Sequence, residues 1–324
     1  MRKITLLLAA VFLVVACGKK SDRPTLVASN GMMNQILLVM NVDMYMGAPG
    51  KAMKEVANEP VFGLPQDEPH FNLTQIPLNA FKNTFLSQRN VLITKVQDSA
   101  YIEVKRNIYA EPQTIITIAS PSEDKLVGDI IKYKQEILQT FKKDDLRALQ
   151  YKLASKSYPK NSFKTLDNIG IEMQIPRKYR LVDDAGDFLW LRQHLKNGQS
   201  MNLIAYELPI RTEADLEGAN INSARDSIGA IHIPGSLEDS HYITEVAYTP
   251  KTVLTSLAGK KAYETRGKWE VKNDFMAGPL LNYTVVDRAN NRLIVVEGFT
   301  YAPGADKRDY MFEIEATLKT LKVK

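Results

Sequence analysis

A single cysteine, Cys17, stands directly after an apolar run from Ile4 to Ala16, and no other cysteine occurs in the 324-residue chain. Without a second thiol no disulfide can staple the fold, so order must come from hydrophobic cores. The apolar run is roughly a dozen residues, short of the ~20 that a helix needs to cross a bilayer's hydrocarbon core. With Arg2 and Lys3 in front of it, the run reads as an export signal over residues 1–16 rather than a permanent anchor. A lone thiol has no partner in an oxidising compartment, which gives Cys17 a role at the processing point itself.

Removing 16 residues from 324 leaves 308, enough for two domains with proper cores. Arg2 and Lys3 leave with the signal, so 42 basic residues become 40 against 37 acids, and the balance is +3. Bases and acids are interleaved, which is no nucleic-acid footprint. No later segment is long and apolar enough to span a membrane.

Residues 17–33 are polar and small without sustained period and read as a flexible tether. The rest divides near the polar, Pro-containing stretch 156–165, giving an N-terminal domain over 34–157 and a C-terminal domain over 162–324. Both read as α+β, two α/β-layer units with largely antiparallel sheets. In the first, strand-like runs at 35–40, 70–76, 90–96, 100–105 and 114–119 accompany a helix near 48–58. Ser120, Pro121 and Glu123 signal the start of a long closing helix, with Leu126, Ile130, Ile137, Phe141, Leu146 and Leu153 on one stripe. In the second, alternation marks strands at 169–175, 179–182, 188–194 and 201–207, and Thr212 caps a helix to about Gly229. Strands at 261–270, 280–287 and 292–300 follow, with an Asn-rich hairpin turn at 288–291 and a last helix from about Asp309.

Val14-Val15-Ala16-Cys17 resembles the lipobox of bacterial lipoproteins, in which the cysteine thiol receives diacylglycerol and its freed amine is then acylated. That resemblance implies lipid attachment at Cys17, membrane association through the lipid, and a place in the cell envelope. Gly18 is not the aspartate that retains enterobacterial lipoproteins in the inner membrane, so the periplasmic face of the outer membrane is expected. Three further strings, Pro60-Val61-Phe62-Gly63-Leu64-Pro65, Gly267-Lys268-Trp269-Glu270 and Glu297-Gly298-Phe299, resemble a family of Bacteroidota lipoproteins catalogued only as a domain of unknown function. The resemblance supplies an address and no activity. The order of hairpin strands, helix, long meander and closing helix in the second half is similar to the PsbP/Mog1-like α/β/α sandwich, and fold is not function.

No motif assembles a catalytic centre. Carboxylates beside His70 and His241 lack metal-ligand spacing, so neither a metal nor an organic cofactor is expected. Ser236, Glu238 and His241 lie close in sequence, but no Gly-x-Ser-x-Gly elbow occurs. Asp98-Ser99-Ala100 and Asp226-Ser227-Ile228 match a short O-glycosylation pattern seen in some Bacteroidota, at near-chance frequency. The feature most suited to recognition is the loop at 271–279. Connectivity places it at one sheet end beside the exit of the strand at 292–300. Trp269, Phe275, Met276 and Tyr301 would then form an apolar centre rimmed by Lys272, Lys307 and Arg308, suited to an anionic or amphipathic partner. The alternative is that Phe275 and Met276 fold under and close the core. Two functions fit: a non-catalytic envelope binding or scaffolding module that meets an envelope protein, glycan or lipid, or an envelope hydrolase acting on glycan or peptide.

Overall fold

The structure is a computed structural model that describes residues 25–324, the side chain of Ala219 excepted. The expected export signal, Cys17 and the first part of the expected tether lie outside these residues. The chain is α+β, and its ladders are mostly antiparallel.

The N-terminal half is built on strands β1 (Gln35–Val39), β2 (Asn72–Ile76), β3 (Asn90–Val96), β4 (Tyr101–Arg106) and β5 (Thr114–Ser120), in the order β2-β1-β3-β5-β4. Here the expectation of antiparallel pairing needs correcting. β1 runs parallel to β2 and β3, and β3 parallel to β5; only β4 is antiparallel. The reason is visible in the side chains of β1, where Ile36, Leu37, Leu38 and Val39 are all buried. Strands covered on both faces read as continuous apolar runs, the mark of parallel sheets. Helices α1 (Ala48–Ala57), α2 (Glu123–Lys132) and α3 (Lys134–Ala154) cover one face, where Met53, Val56, Leu126, Ile130, Ile137 and Phe141 meet Ile36, Leu38 and Leu92. The opposite face, with Leu37, Val39, Val91 and Ile115, is closed by Phe81 and Phe85 from short 3-10 turns.

The closing helix differs from its expected form in two ways. Ser120 belongs to β5, and its hydroxyl donates to Asp129 (2.8 Å); the cap is Ser122, which accepts from the Lys125 N–H. The stripe also runs across a break at Tyr133 (φ −96°, ψ 9°), because both helices use the same period to reach one core. Part of the stretch expected to be tether is docked on the first half. Val27–Ala28 pairs with Ala110–Glu111, and Asn30 donates to the Thr84 carbonyl and the Ser87 hydroxyl.

The C-terminal half holds an eight-stranded sheet: β6 (Arg180–Asp184), β7 (Phe188–His194), β8 (Ser200–Pro209), β9 (His241–Thr244), β10 (Lys251–Leu257), β11 (Lys260–Lys272), β12 (Ala277–Asp287) and β13 (Arg292–Tyr301). The order is β9-β11-β12-β13-β8-β7-β6, with β10 beside β9 on the edge of β11. Alternation sorts the side chains. Leu189, Leu191, Leu203, Tyr283 and Val296 face helix α5 (Arg308–Leu318), while Phe188, Trp190, Ile204, Leu280, Val295 and Phe299 face the other way, toward α4 (Gly218–His232). The half is therefore an α/β/α sandwich.

Two local expectations change here. Only Ile171–Glu172 of the run 169–175 is a strand; Ile169, Ile171 and Ile175 alternate because they edge the core under α5. Thr212 caps a 3-10 turn, Glu213–Leu216, through a capping box with Asp215, and α4 begins after the extended Glu217. At 288–291 the turn closes with Asn291 at φ 51°, the left-handed conformation that Asn tolerates.

Candidate functional site

β11 continues to Lys272 and β12 starts at Ala277, so the expected loop of 271–279 contracts to a tight tip at 273–276. Asn273 makes the turn at φ 62°, Val271 N–H donates to the Met276 carbonyl, and Asp274 N–H to the Val271 carbonyl. A second loop braces it: the Ser236 hydroxyl donates to Asp274 (2.7 Å), and the Asn273 amide reaches the Asp239 carbonyl (3.4 Å). The Ser236 hydroxyl and the Phe275 N–H hold the Asp274 carboxyl below its ordinary pKa. Two apolar side chains are left in solvent by this arrangement, Phe275 at 85% exposure on the tip and Leu237 at 57% on the bracing loop.

The residues expected to act together are only partly assembled. Trp269 is buried; its ring lies against Tyr242 and Phe299, and its indole N–H donates to the Thr300 carbonyl. Met276 and Tyr301 are half-buried on the same cluster, so these three form the base of the tip rather than its contact face. Phe275 projects, and Lys272 is exposed beside it. Lys307 and Arg308 require correction. Lys307 is buried, and both backbone N–H groups donate to the Glu68 carboxylate (2.7 and 2.8 Å) at the start of α5. The Arg308 guanidinium turns to Asp309, Pro69 and Asn72. A carboxylate at a helix N-terminus satisfies unpaired N–H groups and complements the helix dipole, so this acid recruits them to the junction of the two halves.

A buried ionic cluster behind the tip was missed. Glu297 of β13, fully buried, accepts from Arg225 (2.7 Å), from the Asn282 amide (2.8 Å) and from the Tyr242 hydroxyl. Arg225 comes from α4 and also reaches Asp226 and Thr244 of β9. Burial drives the Tyr242 hydroxyl's pKa well up, with Arg225 pulling against it. The signal was present as a glutamate inside the apolar run Leu293-Ile294-Val295-Val296-Glu297, since a charge in such a run must find a partner. His70 is depressed in pKa chiefly by burial, and the hydroxyl partner of Ser236 is Asp274, not an imidazole. Among the described residues no three His, Cys, Asp or Glu side chains gather as a metal site would require.

Similarity to known proteins divides along the same halves. A family described as Domain of unknown function (DUF8532) matches residues 29–154. Among curated proteins none matches the chain. Solved structures similar to part of it include LpqN of Mycobacterium tuberculosis, a protein involved in cell envelope biogenesis (13% identity, TM-score 0.30), covering 48% of this chain and 83% of that one. The Ran-binding protein Mog1p of Saccharomyces cerevisiae is similar over 48% of this chain and 90% of its own (7% identity, TM-score 0.33). Human StAR-related lipid transfer protein 5 is similar over 56% and 98% (8% identity, TM-score 0.25). The family described as Domain of unknown function (DUF4837) matches residues 157–320, just over half of the sequence, and the chain belongs to that family.

Proposed function

We propose that the chain is a lipid-anchored protein of the cell envelope that works as a binding module and meets an envelope protein through the tip at 273–276. The anchor rests on Val14-Val15-Ala16-Cys17, and the periplasmic face of the outer membrane is the place this reading assigns to it. The observation that carries the binding reading is Phe275, 85% exposed on a turn braced at two points by the neighbouring loop, through Ser236 to Asp274 and through Asn273 to the Asp239 carbonyl. A rigid aromatic beside a second exposed apolar side chain, Leu237, costs little entropy to present and is the kind of anchor that dominates interfaces. With Lys307 and Arg308 turned to the junction, Lys272 alone supplies a basic rim, so the partner surface is apolar rather than strongly anionic.

Two measurements test this. Cys17→Ser abolishes labelling by a palmitate analogue; persistent label on the variant defeats the anchor. Phe275→Ser leaves the melting temperature unchanged, as expected for an exposed position within about 0.5 kcal/mol, yet removes the envelope protein crosslinked to the parent. Undiminished crosslinking, or a steep stability loss, defeats the tip as a contact face.

A further inference from the structure

A groove of about 760 Å3 opens on the N-terminal half, between the docked segment 26–33, the loop that leads into β5, and the outer side of α3. That volume falls in the range of small-ligand pockets, roughly 300–1,000 Å3. Its lining carries four cations, Arg89, Arg106, Arg147 and Lys152, against two acids, Glu111 and Asp144. The acids are occupied. Asp144 accepts from Arg106 (2.8 Å) and from the Thr114 hydroxyl (2.9 Å) with Arg147 at 3.6 Å, and Glu111 accepts from Asn107. One carboxylate therefore serves two guanidinium groups that remain 50% and 63% exposed, and Lys152 has no ion-pair partner among the described residues. Arg89 lies 3.9 Å from the buried Asp145 carboxylate, so with that acid counted an excess of one positive charge is left facing the groove. Four residues along α3 from Arg147, and hence on the same side of the helix, Tyr151 stands 86% exposed as part of the lining.

We propose that this groove binds a short carboxylated oligosaccharide. Guanidinium forks match a carboxylate in bidentate geometry and do so better than an ammonium. The exposed phenol ring offers a flat apolar face, on which the C–H face of a sugar ring can lie, with an O–H at its edge. Free phosphate would satisfy the cations and leave the ring unused; an acidic peptide would need the charges and not the ring. The site is separate in sequence and half from the tip at 273–276, and neither reading depends on the other.

The probe is trigalacturonate, titrated calorimetrically into the full mature protein, with maltotriose, inorganic phosphate and triglutamate as parallel arms. Trigalacturonate binds, and added salt weakens it, as exposed charges require. Arg147→Ala weakens binding about 10-fold, as the loss of one charge-assisted pair predicts, and Tyr151→Ala weakens it several-fold. Both side chains are exposed and the melting temperature stays at the parent value. Four results overturn the proposal: no heat from trigalacturonate, equal binding of maltotriose, equal binding of phosphate or triglutamate, or no effect of Tyr151→Ala.

Discussion

Asp145 is the residue whose setting departs furthest from what its neighbours in sequence imply. It sits among Lys and Asp on α3 and is nonetheless fully buried, where one carboxylate oxygen accepts from the Asn34 N–H and the Asn90 amide, both at 2.9 Å. The other oxygen makes no hydrogen bond, and Arg89 is 3.9 Å away. Burial outweighs these partners and raises the pKa to about 6 from 3.8. The folded state then holds a proton that the unfolded chain has released between about pH 4 and 6. Stability from this group accordingly falls as pH rises through that window, by about 3 kcal/mol in all. Asp145→Asn cannot titrate and should lack that slope; denaturation curves of parent and variant that stay parallel from pH 4 to 7 would show that the carboxyl is not the source.

At the scale of elements, the strands and turns of the C-terminal half were largely legible. The predicted run at 188–194 is β7 itself, and the Asn-rich turn closes the hairpin before β13. What local pattern could not indicate is how α4 is fastened to the sheet. Its stripe is weakly apolar, and the attachment runs through Arg225 to Glu297 and Thr244, while Asp226 on the same helix accepts from the Thr244 N–H and hydroxyl. Removing one partner of a buried pair leaves an uncompensated charge, so Glu297→Ala should cost about 3–5 kcal/mol. The double replacement Arg225→Met with Glu297→Leu should cost clearly less than the two single changes summed, since no orphaned charge remains. Chemical denaturation of the four proteins checks this, and strict additivity would mean that the pair does not act as a unit.

For the whole molecule, the junction between halves is more than a linker. Glu68 of the first half holds the start of α5, Gln150 donates to the Ala316 carbonyl, and Leu146 and Leu153 pack on Phe312 and Ala316. Glu315 is buried there, which alone would raise its pKa, but Arg266, Lys142 from α3 and Lys319 hold it well below the usual carboxylate range. Residues 159–162 are exposed on the chain between the halves and should be the first internal site of proteolysis. The two fragments should then co-elute in gel filtration and separate only in denaturant; separate elution in native buffer would show that the junction contributes little.

The division between the two sources of information follows sequence distance. Strand and helix positions rest on periods of 2 and 3.6 residues, and the turns on Asn and Pro chemistry, all carried by neighbours within a dozen positions. The sequence alone therefore determined the α+β class and most element positions. Strand direction in the first sheet, the burial of Trp269, and the recruitment of Lys307 and Arg308 by Glu68, some 240 residues away, were decided by tertiary structure. Each depends on which distant element arrives at a given face, and a buried charge or unpaired N–H group is satisfied only by the partner that arrival supplies.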